Sequence, residues 1–295
     1  MPRLTSLRLT AALALVAAGL PSAEALGAPS HALKKPAAAQ FAAVRNASPG
    51  KPMVHGTYTN GCIAGASHLP ADSPHWQVLK PSRNRAWGHP ALIRVVEDIS
   101  RQIAADGHRG VLIGDLAQAR GGPMPYGHNS HQTGLDADIW LTPLPARRLT
   151  PAELETFAPP SMVDLEAVHV TLAFGPAQVA MLRRAAEHPD VERIFVSPPI
   201  KQALCDRTNQ ADRAWLRKVR PWRGHTAHMH VRIACPVDSD TCKDQDPVPE
   251  GDGCGTELAS WMSDPSWRTT GTRPYVPEKG LKLRAMPKAC QRLVK

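Results

Sequence analysis

Apolar residues recur at helical spacing between Ala91 and Gly107. Leu92, Ile93, Val95, Val96, Ile99 and Ile103 fall on one face, and Gly107 offers a stop. Val111 to Leu116 then reads as a buried strand, and Ala137 to Leu141 as another. The spacing predicts a helix over Ala177 to Glu187, a strand over Val191 to Val196 and a helical segment over Asp212 to Val219. His230 to Ile233 looks like a strand near the end of the core. Between Gly56 and Pro90 the chain is rich in Gly, Pro, Asn and Trp, which predicts long ordered loops with short extended pieces. Strands with intervening helices place the chain in the α+β class. The expected architecture is a single domain with a central antiparallel sheet, flanking helices and long disulfide-tied loops.

The two ends read differently from this centre. Arg3 and Arg8 precede an apolar run from Leu9 to Leu20, and Pro21-Ser22-Ala23-Glu24-Ala25 follows. A positive start, a short apolar centre and a small-x-small end predict a secretory signal peptide over residues 1–25. That run is too short to span a bilayer, and no later segment approaches the ~18 apolar residues a span requires. The mature chain therefore has no predicted membrane span. Residues 26–53 are rich in Ala, Pro and Lys without periodicity and read as a flexible leader. Residues 54–295 make the domain, and its tail from about 236 loses periodicity and reads as irregular.

Cysteine and charge change the picture further. The six cysteines are Cys62, Cys205, Cys235, Cys242, Cys254 and Cys290, an even count in an exported chain, which predicts disulfides. No C-x-x-C is present, which argues against a thiolate metal site or a redox motif. The formal charge of +9 suits an anionic polymer or simply a solvated basic surface. No nucleic-acid motif accompanies it, so no nucleic-acid partner is expected.

The candidate chemistry lies in two short stretches. His128-Asn129-Ser130-His131-Gln132-Thr133-Gly134-Leu135-Asp136-Ala137-Asp138 is the first, and His225-Thr226-Ala227-His228-Met229-His230 the second. Imidazoles and carboxylates are what a catalytic zinc prefers, with three protein ligands and one open position. On a strand, His228, His230 and Arg232 share one face while Met229, Val231 and Ile233 enter the core. His131 and Asp138 are seven positions apart, an odd offset, so one straight strand would put them on opposite faces. Gly134 offers a bend that lets a loop supply His131 and the next strand Asp138, on a face shared with Asp136 and Trp140. A carboxylate here can be a ligand or can orient an imidazole.

These stretches resemble a known family. H-x6-D followed by a distant H-x-H is similar to the lysostaphin-type and D-Ala-D-Ala zinc peptidases. Asn60-Gly61-Cys62, Gly88-His89-Pro90, Leu112-Ile113-Gly114-Asp115, the His128–Asp138 stretch, Trp215 to Trp222 and Ala227 to Arg232 resemble the penicillin-insensitive murein endopeptidases in particular. The resemblance runs from about Asn60 to Cys290. It implies a zinc enzyme of the periplasm that hydrolyses the D-alanyl–meso-diaminopimelate cross-link of peptidoglycan. His131, Asp138 and His230 would be the primary zinc ligands, with His128 close enough to count among them. His228 would be the general base or transition-state stabiliser, assisted by His225. Family members can carry a second metal position, to which Glu166 and His169 would correspond, with Glu166 standing where Asp is usual. The implied disulfides are Cys62–Cys290, Cys205–Cys254 and Cys235–Cys242.

Three other readings compete. A D,D- or L,D-carboxypeptidase on the same scaffold would share the zinc residues. A non-catalytic wall-binding zinc module would be expected to lack a ligand or the proton-handling His, and here all are present. A serine penicillin-binding enzyme would need Ser48-Pro49-Gly50-Lys51 as its S-x-x-K, but that lies in the leader and no K-T-G follows.

Overall fold

Seven strands form the main sheet: β1 (Asp72–Ser73), β2 (Trp76–Val78), β3 (Val111–Ile113), β4 (Asp136–Pro143), β5 (Val191–Val196), β6 (Val219–Pro221) and β7 (His228–Ile233). The computed structural model describes residues 36–268 and 280–295. The expected signal peptide over 1–25 lies outside them. The sheet order is β6-β5-β7-β4-β3-β2-β1. Its four central strands, β5, β7, β4 and β3, pair antiparallel. Farther out, β6 joins β5 and β2 joins β3 in parallel, so the sheet is mixed.

Three helices flank the sheet: α1 (Pro90–Ala105), α2 (Pro176–Glu187) and α3 (Pro198–Arg207). In α1 the apolar stripe read from the sequence is the buried one, from Leu92 to Ile103. Pro90 opens the helix and the His89 ring nitrogen accepts the Ala91 N–H at 3.2 Å, satisfying one of the free donors of the first turn. The apolar face of α2, with Met181, Leu182, Ala185 and Ala186, joins the same core as Val191, Ile194, Met229 and Val231.

Other elements depart from the expectations. The helical segment expected over Asp212 to Val219 is present as a 3-10 helix, Gln210–Lys218, but it starts earlier and Val219 already begins β6. Helix α3 had no periodic signal, because Pro198-Pro199 reads as a turn and Lys201 occupies a fully buried position. The tail carries a helix over Thr256–Ser263 and a short one over Lys288–Leu293. Inside the stretch read as leader, Ala37–Ala42 is helical, and the buried Phe41 ring lies against Gly122.

The disulfides are Cys62–Cys290, Cys205–Cys254 and Cys235–Cys242, the same pairs the resemblance implies. The first ties the last helix to the hairpin Met53–Thr57/Asn60–Ala64. The second ties α3 to the tail.

Candidate metal centre

The site grows out of the register between β4 and β7. Trp140 stands opposite His228, Asp138 opposite His230, and Asp136 opposite Arg232. Alternation sends Ala137, Ile139 and Leu141 of β4, and Met229, Val231 and Ile233 of β7, into the core. The polar partners are thereby collected on the other face.

His131 arrives from the preceding loop. Its backbone takes a left-handed conformation (φ 62°), and Gly134 turns the chain at φ 69°. The His131 N–H donates to Asp136 Oδ2 at 3.0 Å, which holds the bend against the strand it leads into. Non-glycine residues with positive φ persist where surrounding contacts over-determine them.

Three ligand-type atoms meet here. His131 Nε2 lies 3.2 Å from His230 Nδ1 and 3.3 Å from Asp138 Oδ1, and His230 Nδ1 lies 3.3 Å from Asp138 Oδ1. Tetrahedral zinc, with bonds of about 2.0–2.1 Å, sets its ligand atoms about 3.3–3.4 Å apart. The outer ring nitrogens fix the tautomers. His131 Nδ1 is 2.7 Å from the Leu116 carbonyl, and His230 Nε2 is 2.9 Å from Asp136 Oδ1. Both acceptors require a proton on those nitrogens, which leaves a lone pair on His131 Nε2 and on His230 Nδ1. Two lone pairs facing each other at 3.2 Å cannot hydrogen-bond. Asp138 Oδ1 is buried and accepts no hydrogen bond. A cation satisfies all three atoms at once, so these residues fit a metal ion.

Asp136 is the support behind this triangle. It is fully buried and accepts from Arg232 Nε at 2.6 Å, as well as from His230 and the His131 backbone. Burial alone would raise the Asp136 carboxyl, but Arg232 and His230 outweigh it and hold it far below the ordinary range. Burial likewise acts to raise Asp138, and the imidazoles of His228, His131 and His128 reverse the shift. At His230 burial acts downward, and the Asp136 carboxylate overcomes it and raises the ring.

His128 sits beside the triangle. Its Nε2 is 3.7 Å from Asp138 Oδ2 and 3.1 Å from Asp115 Oδ2. His128, His131 and Asp138 offer ligand atoms within 4.8 Å of one another, so they too can hold a metal ion. The His131–Asp138–His230 set is the tighter one, and His128 Nε2 is already engaged by Asp115. Asp115 also accepts from Arg85 at 2.8 Å and Arg83 at 3.3 Å, and its carboxyl is lowered to about 2 by His128 and Arg85 against the opposing effect of burial. The sequence reading assigned no role to Asp115 or its arginines. The available signal was an ionisable residue inside the apolar run from Val111 to Leu116 that reads as a buried strand.

His228 Nε2 is 3.6 Å from Asp138 Oδ1, with the His225 ring 5.0 Å and the Trp140 ring 5.3 Å from its own. Burial lowers both imidazoles, His225 the more strongly. Glu166 and His169 fall elsewhere, exposed on the turn between Val163–Asp164 and His169–Val170. His169 Nδ1 is 2.8 Å from the Val170 carbonyl, and no third ligand gathers with the pair among the described residues.

Comparison with known proteins gives the family. Residues 54–295 match the family described as penicillin-insensitive murein endopeptidase. Relatives of that name from Escherichia coli O1:K1 / APEC and from E. coli strain SMS-3-5 / SECEC are each 44% identical over 247 residues, covering 83% of this chain and 87% of theirs. The chain belongs to the penicillin-insensitive murein endopeptidase family.

Proposed function

We propose that this protein is a zinc endopeptidase of the periplasm that hydrolyses the D-alanyl–meso-diaminopimelate cross-link of murein. One observation carries the reading. Two lone-pair nitrogens and a carboxylate oxygen without a hydrogen bond converge within 3.3 Å of one another. His131, Asp138 and His230 hold the metal, with His128 beside them. Zinc, when bound, supplies a Lewis acid that polarises the scissile carbonyl and lowers the pKa of water.

The chain's own residues do the rest. Asp136 and the Leu116 carbonyl keep His230 and His131 in the tautomers that point lone pairs inward. His228, partly open to solvent, takes a proton of the attacking water at Nε2 and passes it to the nitrogen of the leaving amine as the C–N bond breaks. The His225 and Trp140 rings flank that ring at 5.0 Å and 5.3 Å. Among the described residues no serine hydroxyl is hydrogen-bonded to a base at this centre, which fits insensitivity to penicillin. Ser48 of the S-x-x-K sequence instead accepts the Gly65 N–H at 3.0 Å, and Lys51 is exposed. Three disulfides fit an oxidising compartment.

The test is incubation of the protein with cross-linked muropeptide dimers, with penicillin or with a zinc chelator, read by mass. Monomers formed despite penicillin and lost with chelator support the reading. Dimers losing only a terminal D-alanine would make it a carboxypeptidase, and no product from zinc-loaded protein would make it a binding module. Replacing His228 by Ala should spare zinc and lower turnover by about two to four orders of magnitude.

A further inference from the structure

A second feature beside the metal centre is not used by this mechanism. Arg45, Arg83, Asn84, Arg85, Gln118 and Tyr126 line a cavity of about 100 Å³. That is room for a few waters, or for one carboxylate with the carbon bearing it. Asp115 connects the cavity to the site: its Oδ2 receives Arg83, Arg85 and His128, and His128 reaches Asp138.

The charge in this cavity is unbalanced. Asp115 is the one carboxylate paired with Arg83 and Arg85 among the described residues, and Arg85 is buried against it. Arg85 also lies 4.3 Å from the centre of the half-exposed Tyr126 ring, which fixes it as a wall rather than a free donor. Arg83 is a third exposed, and the exposed Arg45 has no carboxylate partner among the described residues. The neutral amides are committed elsewhere. Gln118 donates to the Gly121 and Pro123 carbonyls, both at 3.1 Å, and Asn84 donates to the Arg45 carbonyl at 3.0 Å. The donors left to a ligand are guanidinium N–H groups, whose planar fork matches a carboxylate.

In the cross-link assigned above, the amine-side residue carries a free carboxylate on the same carbon as the scissile nitrogen. When the carbonyl is at the metal centre, that carboxylate must lie within a few bonds of it. We propose that the Arg45–Arg83–Tyr126 cavity binds this carboxylate and so selects substrates with a free acid next to the scissile amide. The identity of its bearer rests on the murein reading; the pocket's preference for a carboxylate does not.

Two readouts on the full, zinc-loaded protein test this. The first compares kcat/KM for muropeptide dimers with that carboxylate free and with it amidated. Wild-type protein should favour the acid by about tenfold, the size of one charge-assisted hydrogen bond. Arg83→Gln and Arg45→Gln should each bring the ratio towards one, and Arg83→Lys should restore part of it. The second follows acetyl-D-alanine by NMR at the arginine Nε–H groups. The Arg83 signal should shift on titration, and Arg83→Gln should weaken binding by about tenfold. An unchanged acid-to-amide ratio in both folded Gln variants overturns the proposal. If no dimer is cleaved, the murein reading fails separately. Acetyl-D-alanine then decides the pocket: a saturable Arg83 shift retains it, and no shift discards it.

Discussion

Asp138 and His230 stand directly opposite each other on β4 and β7, and their Oδ1 and Nδ1 atoms are 3.3 Å apart. Two of the three proposed ligands are thus fixed by a backbone ladder at the centre of the sheet, where Ile139, Met229 and Val231 are fully buried. Sites built on such elements hold their geometry better than sites on loops. His131, the third, comes from a loop and needs its own restraints: the Leu116 carbonyl, the Asp136 carboxylate and the turn at Gly134.

Asp136 orients His230 and neutralises Arg232 without belonging to the triangle. Asp136→Asn removes that charge while keeping the shape. Zinc affinity should fall about 10–100-fold, the usual effect of losing a partner behind a metal ligand. Stability should fall by about 3–5 kcal/mol, because Arg232 is left buried without its counter-charge. Zinc titration and urea unfolding measure the two effects, and unchanged zinc affinity would remove Asp136 from this role.

Gly134 carries the bend between His131 and β4. A Cβ there would lie 3.1 Å from Gly88 Cα and from the His89 nitrogen, on a backbone with φ 69°. Gly134→Ala should destabilise the protein by about 1–3 kcal/mol and weaken zinc binding as His131 moves. Gly107 also has a positive φ, of 90°, but nothing lies near its added Cβ, so Gly107→Ala should cost stability and leave zinc affinity alone.

Much of this was legible in the sequence. The alternation from His228 to Ile233 placed the imidazoles and Arg232 on one face, and the helical stripe from Leu92 to Ile103 gave α1. Gly134 marked the bend that an odd spacing between His131 and Asp138 demands. The register was not legible, because alternation says which residues share a face and not which residue stands opposite. The parallel attachment of β2 and β6 was hidden for the same reason. Asp115 and Arg85 are far apart in sequence and become a pair only when the loop before α1 packs beside β3.

Lys201 is fully buried in α3, with its ammonium donating to the Leu216 carbonyl at 2.7 Å and the Asp252 carbonyl at 2.5 Å. Burial pushes its pKa from 10.5 down to about 7, aided by Arg220 and opposed by Asp252. The charged form is therefore penalised in the fold. That penalty is complete below about pH 7 and fades as pH rises towards 10.5, because in this window the unfolded chain holds the extra proton. Wild-type stability relative to Lys201→Met should improve with pH across that window, by on the order of a few kcal/mol. Urea unfolding of both proteins at several pH values checks this, and a constant difference would contradict it.

The disulfides close loops of very different length, with sequence separations of 228, 49 and 7 residues. Chain-entropy reasoning assigns about 5 kcal/mol to the longest and about 2.5 kcal/mol to the shortest. Replacing both Cys62 and Cys290 by Ser should therefore destabilise the protein more than replacing Cys235 and Cys242. Denaturant midpoints of the two double variants decide the order.

The most direct test of the account is an anomalous difference map at the zinc edge from crystals of zinc-loaded protein. The account predicts a peak about 2.0–2.2 Å from His131 Nε2, His230 Nδ1 and Asp138 Oδ1. A peak held by His128 and Asp115 without His230, or one found only at Glu166 and His169, would contradict it.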